Sequence, residues 1–221
     1  SSRSMALRCR SDSTDNPGLA LGAFMAANAL KGRDKVTLIT PKKYFAFAMW
    51  VEQLLAESTG KNGKGLIPIV NEPTLNPVHY GNDRQFIIFD PNGDEARNTD
   101  RMAKLKSAGH PVFMVKTFTL DIHEIAAEFF RWQFATATAS ALMGIYPFDQ
   151  PDVESAKTRA QKYLSEDNSD IKTSDLVETL KAISSNTLPR YVAITAFMPE
   201  SDALTTAFMK LRAAISEKTG V

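Results

Sequence analysis

Four short apolar runs, separated by segments of helical character, constrain the fold of this chain more than any other feature. They are rich in Val, Ile, Leu and Phe and lie at 35–40, 66–70, 85–90 and 111–116. A strand that is buried on one face alternates apolar and polar residues, whereas a strand of a parallel sheet covered on both faces is a nearly continuous apolar run. The pattern therefore predicts an α/β fold with a doubly wound, mainly parallel sheet flanked by helices.

The helices between these runs have recognisable boundaries. They are predicted at 18–31, 41–58, 95–108 and 121–144. Asn16 and Pro17 provide a cap and a first-turn proline for the first of them. Asp121 with Glu124 three residues later has the spacing of a capping box for the last, which is apolar around most of its circumference and should be buried on several sides.

Three parts are predicted along the chain. Residues 1–15 are polar and are expected to be a disordered or tag-like tail, 16–167 the main domain, and 168–221 a small C-terminal α/β appendage. In the appendage we predict a strand at 191–197, helices at 174–184 and 201–218, and a polar linker at 165–173. One strand and two helices make a poor independent core, so the appendage should pack on the main domain or continue into sequence after Val221, and the second is favoured.

Charge and cysteine content exclude several classes of protein. The 26 basic and 25 acidic residues give a net charge of +1, which offers no overall attraction to nucleic acid or to an anionic membrane. The stretch 125–143 contains charged residues and is interpreted as a buried helix, not a membrane span. Cys9 is the only cysteine, so neither a disulfide framework nor a thiolate metal site is expected, and a reducing, cytoplasmic setting fits best. The three histidines lack the spacing of metal ligands, and no cofactor is predicted.

The first candidate site lies at the end of the helix predicted over 41–58. Gln53 and Glu57 are four residues apart and therefore share a face of that helix. A partly buried carboxylate can take a proton from one carbon and return it to another. A carboxylate at a solvated helix terminus is the plainer interpretation of Glu57, and spacing alone does not decide between them.

The second candidate site follows Gly144. Pro151 suits the first turn of a new helix, and Gln150 and Lys157 lie seven residues apart, about two turns, so both can point to one side. Lys157 also lies beside an apolar stripe. Its plainer interpretation is a lysine that extends along the edge of an amphipathic helix and keeps its charge in water.

Together, the two segments resemble a known family. Phe148-Asp-Gln-x-x-Val-Glu-x-x-Lys157, with Gly144 ahead of it, resembles the C-terminal signature of phosphoglucose isomerases, and Gln53-x-x-x-Glu-Ser-x-Gly-Lys61 resembles the segment that carries their catalytic base. Asp152 stands where most of that family has a small residue, as in the branch fused to transaldolase. The resemblance implies that 16–167 is the second sugar-isomerase domain, with a flavodoxin-like sheet, of an enzyme that interconverts glucose 6-phosphate and fructose 6-phosphate in glycolysis and gluconeogenesis.

The resemblance also implies roles for four residues. Glu57 would be the base that moves a proton between C2 and C1 through an enediol, and Lys157 the second catalytic residue. Gln53 and Gln150 would contact the sugar. The family's ring-opening histidine has no counterpart in 80–85, and His79 would require a shifted alignment, so that role stays empty.

Other parts of such an enzyme are not found in this sequence. The phosphate-anchoring motifs of the first sugar-isomerase domain do not occur, so we expect a fragment that is inactive alone and whose full-length form is a homodimer. Its partners would be the sugar phosphate, the missing N-terminal domain and a transaldolase domain. A non-catalytic sugar-phosphate-binding module of the same fold is the alternative, and a purely structural α/β domain is the third.

Overall fold

A computed structural model describes residues 2–91, 95–117, 122–149, 151–165 and 191–219, together with residues 175, 178 and 181. The strands are β1 (Lys35–Ile39), β2 (Ile67–Ile69), β3 (Arg84–Pro91) and β4 (Val112–Thr117). The helices are α1 (Ser2–Arg10), α2 (Pro17–Ala29), α3 (Phe45–Thr59), α4 (Glu95–Ser107), α5 (Ile122–Met143), α6 (Pro151–Ser165) and α7 (Asp202–Thr219). Short 3₁₀ turns lie at Lys42–Tyr44 and Pro77–His79. Two compact units divide the chain, residues 1–149 and 150–221.

The sheet confirms the predicted fold class. Its four strands are all parallel and lie in the order β2-β1-β3-β4, which is the order of the first four strands in flavodoxin-like sheets. After β1 the chain forms β2 on one side of it, and then β3 and β4 in turn on the other side. Because crossover connections are right-handed, the helices are distributed over both faces.

Side-chain alternation along β3 shows these two faces. Ile87 and Phe89 belong to the larger core, which α2, α3 and α5 cover. Phe86 and Ile88 point the other way and pack with Leu105 of α4. The central strands β1 and β3 are therefore buried on both sides, which is the reason for their apolar sequence, whereas the edge strand β2 is only partly buried.

Helix α2 has the N-terminus that the sequence predicts. The Asn16 side chain accepts hydrogen bonds from the backbone amides of Gly18 and Leu19, and Pro17 occupies the first turn. The Asn16 amide group also donates to the backbone oxygen of Cys9 at 2.7 Å. This side chain thus caps α2 and ties it to the end of α1. The predicted cap of α5 at Asp121 lies outside the described residues.

The N-terminal segment differs from the tail expected for residues 1–15. Residues 2–10 form α1, and its Met5 and Cys9 are buried against Ala127, with Phe130 and Phe134 beside them. Met5 and Cys9 are four residues apart, so they lie on one face of the helix. These two side chains pack the segment on α5, and the hydrogen bond from Asn16 to Cys9 ties its end to α2.

The second compact unit begins earlier than the predicted boundary at 167. It contains α6 and α7, so α6 groups with the C-terminal part and not with the sheet-containing unit. The strand predicted at 191–197 is wrong, because those residues have no regular secondary structure and Phe197 is almost fully exposed. A strand needs a hydrogen-bonded neighbour, and the described residues of this unit contain no other strand. The linker at 165–173 and the helix at 174–184 lie almost entirely outside the described residues.

Candidate active site

Helix α3 carries Gln53 and Glu57 on its solvent face. The opposite face is buried through Val51, Leu55 and Thr59, which fixes the rotation of the helix about its axis. The Gln53 side-chain amide donates to a carboxylate oxygen of Glu57 at 3.2 Å. The predicted shared face is therefore confirmed, and both side chains are exposed in this chain, not partly buried as a proton-transferring base would be.

Glu52, the neighbour of Gln53, is a carboxylate that sequence reasoning did not consider. It lies on a different face of α3 and is half-buried. Desolvation by this burial raises the pKa of the Glu52 carboxyl above its usual range. By environment alone, Glu52 therefore competes with Glu57 as a proton acceptor on this helix.

A tight turn ends α3 and leads into β2. The buried Thr59 hydroxyl donates to the Leu55 backbone oxygen at 2.7 Å and accepts from the Leu66 amide at 2.8 Å. Gly65 has φ +145°, and a Cβ atom placed there would lie 2.8 Å from Gly60 Cα. The turn 60–65 is therefore closely packed and specified by its sequence. Its glycines and lysines resemble those of a phosphate-binding loop, but such a loop precedes a helix, whereas this turn precedes a strand.

The second candidate segment begins with a defined helix end. Gly144 has φ +67°, its amide donates to the Ala141 backbone oxygen, and the Ile145 amide donates to the Ser140 backbone oxygen at 2.8 Å. These are the two hydrogen bonds of a Schellman motif with glycine in the left-handed position. Ile145 is buried, whereas the rings of Tyr146 and Phe148 are exposed and contact each other edge to face.

Lys61 joins the two candidate segments. Its side chain is only 5% exposed. The Lys61 ammonium donates to the Tyr146 backbone oxygen at 2.9 Å and lies 2.9 Å from a carboxylate oxygen of Asp149. The turn after α3 and the segment after α5 are thus in direct contact, although 85 residues separate Lys61 from Tyr146. The two motifs contain Lys61 and Asp149, but neither residue had been predicted to form this contact.

The remaining predicted residues belong to the second unit. Lys157 is exposed on α6 and pairs with Glu154, with 2.9 Å between the ammonium and the carboxylate. The apolar stripe expected beside Lys157 consists of Val153, Ala156, Ala160 and Leu164. All of these except Val153 are exposed, Leu164 especially. Gln150 lies outside the described residues.

Two histidines of the sheet-containing unit have structural positions. His110 is buried, its Nε2 lies 3.1 Å from the Pro77 backbone oxygen, and its ring packs against Phe86. His79 is exposed on the 3₁₀ turn at Pro77–His79. Within the part of the chain that the structure describes, no three His, Cys, Asp or Glu side chains are grouped as metal ligands, and none of the helices is long and apolar enough to cross a membrane.

The fold of this chain occurs in a known structure. A hypothetical protein of Thermus thermophilus superposes with a TM-score of 0.63 at 16% identity, over 75% of this chain and 49% of that protein. Glucosamine-6-phosphate deaminase from Thermotoga maritima gives a TM-score of 0.45 at 11% identity, over 62% of this chain and 44% of that protein, too low to identify a fold. The chain is an α/β protein with a parallel, doubly wound sheet.

Among curated proteins, the chain is similar to the glucose-6-phosphate isomerase of Symbiobacterium thermophilum. The two are 27% identical over an alignment 195 residues long, and the match covers 70% of this chain and 43% of that enzyme. The chain thus spans less than half the length of this relative. Its sequence matches no protein-family model.

Proposed function

We propose that this chain is the base-bearing part of an aldose–ketose isomerase that interconverts glucose 6-phosphate and fructose 6-phosphate. The observation that carries the proposal is the contact through Lys61. It joins the two segments that resemble the isomerase signatures, and Glu57 lies four residues before Lys61, in the last turn of α3. The similarity to a glucose-6-phosphate isomerase supports the same reaction.

In this proposal Glu57 takes the proton from C2 of the open-chain sugar and returns it to C1. Gln53 holds the carboxylate through the hydrogen bond along α3 and contacts the sugar. A single base can perform both transfers because C1 and C2 are bonded to each other and the planar enediol presents both carbons on the same face. Excluding water from the Glu57 carboxylate would strengthen it as a base. Because Glu57 is exposed in this chain, another part of the full-length protein must cover it during the reaction.

Lys157 and Gln150 are proposed to act on the sugar oxygens. Negative charge develops on oxygen in the enediol, and an ammonium or amide donor stabilises it. The present partner of Lys157 is Glu154, and an exposed ion pair of this kind is worth less than about 1 kcal/mol. A sugar oxygen can therefore replace that partner at little cost.

The phosphate anchor is proposed to come from a preceding sugar-isomerase domain. The exposed rings of Tyr146 and Phe148 lie beside the Lys61 contact, and exposed apolar groups next to a site are common at domain interfaces. We assign this surface to that domain. The full-length protein is proposed to be a cytoplasmic homodimer of the branch that carries a transaldolase domain.

The test compares two carboxylates on the same helix. In the full-length product of the gene that encodes this chain, Glu57→Gln should lower the turnover of fructose 6-phosphate at least about a hundredfold, as expected for loss of a general base. Glu52→Gln is the matched control, since it removes a half-buried carboxylate from the same helix, and turnover should change less than about twofold. The opposite result would move the base to Glu52, and normal turnover in both variants would refute the proposal.

A non-catalytic sugar-phosphate-binding module is the second candidate, and the exposure of Glu57 favours it. In that case glucose 6-phosphate should bind to the full-length protein without turnover. Isothermal titration with glucose 6-phosphate and a coupled turnover assay on the same preparation distinguish the two functions. Affinity without turnover supports the module, whereas turnover supports the isomerase.

A further inference from the structure

We propose that Lys61 is a positioning residue that holds the segment Gly144–Asp149 against the turn at the end of α3. In the proposed isomerase, on which this role rests, Lys61 would fix the distance between the base-bearing helix and the start of the sugar-binding signature. The residue that follows Asp149 in the sequence is the predicted sugar ligand Gln150. Lys61 itself needs no contact with the sugar for this role.

The backbone of Lys61 is fixed before its side chain makes any contact. Its amide lies within hydrogen-bonding distance of the Thr59 and Lys64 backbone oxygens, and the Lys64 amide donates back to Lys61. Thr59 is the last residue of α3, and its hydroxyl is hydrogen-bonded to Leu55 and Leu66. The ammonium therefore extends from a rigid turn, which makes it a defined reference point for the segment that it binds.

The segment Gly144–Asp149 depends on this contact for its position. Ile145 is its only buried residue, and Tyr146, Phe148 and Asp149 are exposed. The Schellman motif fixes its first two residues onto α5. Further along, Lys61 binds the segment at the Tyr146 backbone oxygen and again at the Asp149 carboxylate. Because one ammonium contacts both Tyr146 and Asp149, both ends of the stretch 146–149 are held against the turn.

A comparison with Lys35 indicates that stability alone does not explain Lys61. Lys35 is buried to the same degree, but its ammonium binds two carboxylates, Asp34 at 2.9 Å and Asp83 at 2.8 Å. These aspartates directly precede the neighbouring strands β1 and β3. Lys61 has one carboxylate, which is 55% exposed, and one backbone oxygen far along the chain. Burying an ammonium for such partners gains little stability, because desolvation opposes the attraction. The specific effect of Lys61 is to hold together two segments that lie far apart in the sequence.

The first experiment uses the 221-residue chain and does not require activity. Lys61→Met keeps most of the side-chain volume and removes the ammonium. We expect amide hydrogen exchange at Ile145, the hydrogen-bonded amide of this segment, to accelerate at least about tenfold, as local opening becomes easier there. Lys35→Met is the matched control: it removes a buried lysine of the same unit and should leave exchange at Ile145 no faster than its overall loss of stability accounts for. Unchanged exchange at Ile145 in Lys61→Met would overturn the proposal.

The second experiment measures turnover in the full-length gene product. Displacing a catalytic segment by about 1 Å can cost up to about a hundredfold in rate, so Lys61→Met should lower kcat about tenfold to a hundredfold. Lys61→Arg, which keeps the charge and the donors, should restore part of both the exchange protection and kcat. Lys35→Met should leave kcat within about twofold. Faster exchange with normal kcat would overturn the role of Lys61 in the reaction.

Failure of this inference is distinguishable from failure of the proposed function. If the wild-type protein has no isomerase activity, the proposed function fails, while the exchange experiment still tests the contact. If Lys61→Met does not fold, Asp149→Asn weakens the same contact from the exposed side and should accelerate amide exchange at Ile145. Absence of that acceleration would count against the proposal.

Discussion

The buried pair of Glu128 and Arg131 on α5 gives the clearest prediction about stability. Their closest atoms are 3.0 Å apart, yet one carboxylate oxygen of Glu128 and Nε of Arg131 have no hydrogen-bond partner among the described residues. Desolvation exceeds the attraction of the guanidinium and raises the pKa of Glu128 to about 7, from 4.5, with a smaller contribution from Glu124. Arg8 and Cys9 of α1 also act electrostatically on Arg131 from the packed helix.

The sign of the effect follows from proton binding. Between pH 4.5 and pH 7 the folded protein holds a proton on Glu128 that the unfolded chain has released, so stability falls as pH rises through this window. Below pH 4.5 both states are protonated and the cost disappears. From these pKa values, the free energy of unfolding should fall by about 2 to 3 kcal/mol between about pH 5 and pH 8 through this group alone.

Urea unfolding at about pH 5 and pH 8 measures the effect. Glu128→Gln is neutral at both values, so it should match the wild type within about 1 kcal/mol at pH 5 and exceed its stability by about 2 to 3 kcal/mol at pH 8. Asp100→Asn, which changes an exposed carboxylate and keeps Glu128, should lose stability between the two pH values as the wild type does. An equal difference between wild type and Glu128→Gln at both pH values would mean that Glu128 stays ionised in the folded protein, and the reasoning would be refuted.

Two further substitutions test local features. Lys157→Met should change the free energy of unfolding by less than about 0.5 kcal/mol, because the pair with Glu154 is exposed, while kcat of the full-length protein should fall by about a hundredfold if Lys157 stabilises the enediol; unchanged kcat would remove Lys157 from the site. Gly65→Ala should cost about 2 kcal/mol or more in urea unfolding, since its Cβ would lie 2.8 Å from Gly60 Cα at φ +145°. Gly32→Ala, at φ +82° with open space around it, should cost about 1 kcal/mol, and equal losses would contradict the steric argument.

The fold was predictable because the central strands β1 and β3 are buried on both faces. Val36 and Leu38 of β1 contact the same core as Ile87 and Phe89 of β3, and no polar residue interrupts the central part of either strand's core face. The helix starts were predictable where one side chain caps the backbone, as Asn16 does for α2. These signals are local, so a single sequence contains them.

Contacts between distant segments were not predictable in the same way. The two motifs suggested that Glu57 and the stretch after Gly144 belong to one site, but spacing along the chain does not show that Lys61 binds Tyr146 and Asp149. The helical signal of α1 was also weak, because only Met5 and Cys9 are buried in a polar segment. At 191–197 the β-branched and aromatic residues typical of a strand were present, but a strand also needs hydrogen-bonded neighbours.

The exposure of Glu57 leads to the last prediction. A base that moves a proton between two carbons works best when water is excluded, yet in this chain Glu57 lies on the solvent face of α3. If the proposed preceding domain covers the surface around Tyr146 and Phe148, it should also cover Glu57. Carboxylates can be labelled with a carbodiimide and an amine, and the labelling can be read by mass spectrometry. The labelling rate of Glu57 should then be at least about fivefold lower in the full-length gene product than in the isolated chain, a larger difference than the variation among exposed carboxylates. Asp100, on α4 at the opposite face of the sheet, is the internal control and should label at the same rate in both. Equal labelling of Glu57 in the two proteins, measured with saturating fructose 6-phosphate present, would leave this carboxylate in water throughout and would argue against its role as the base.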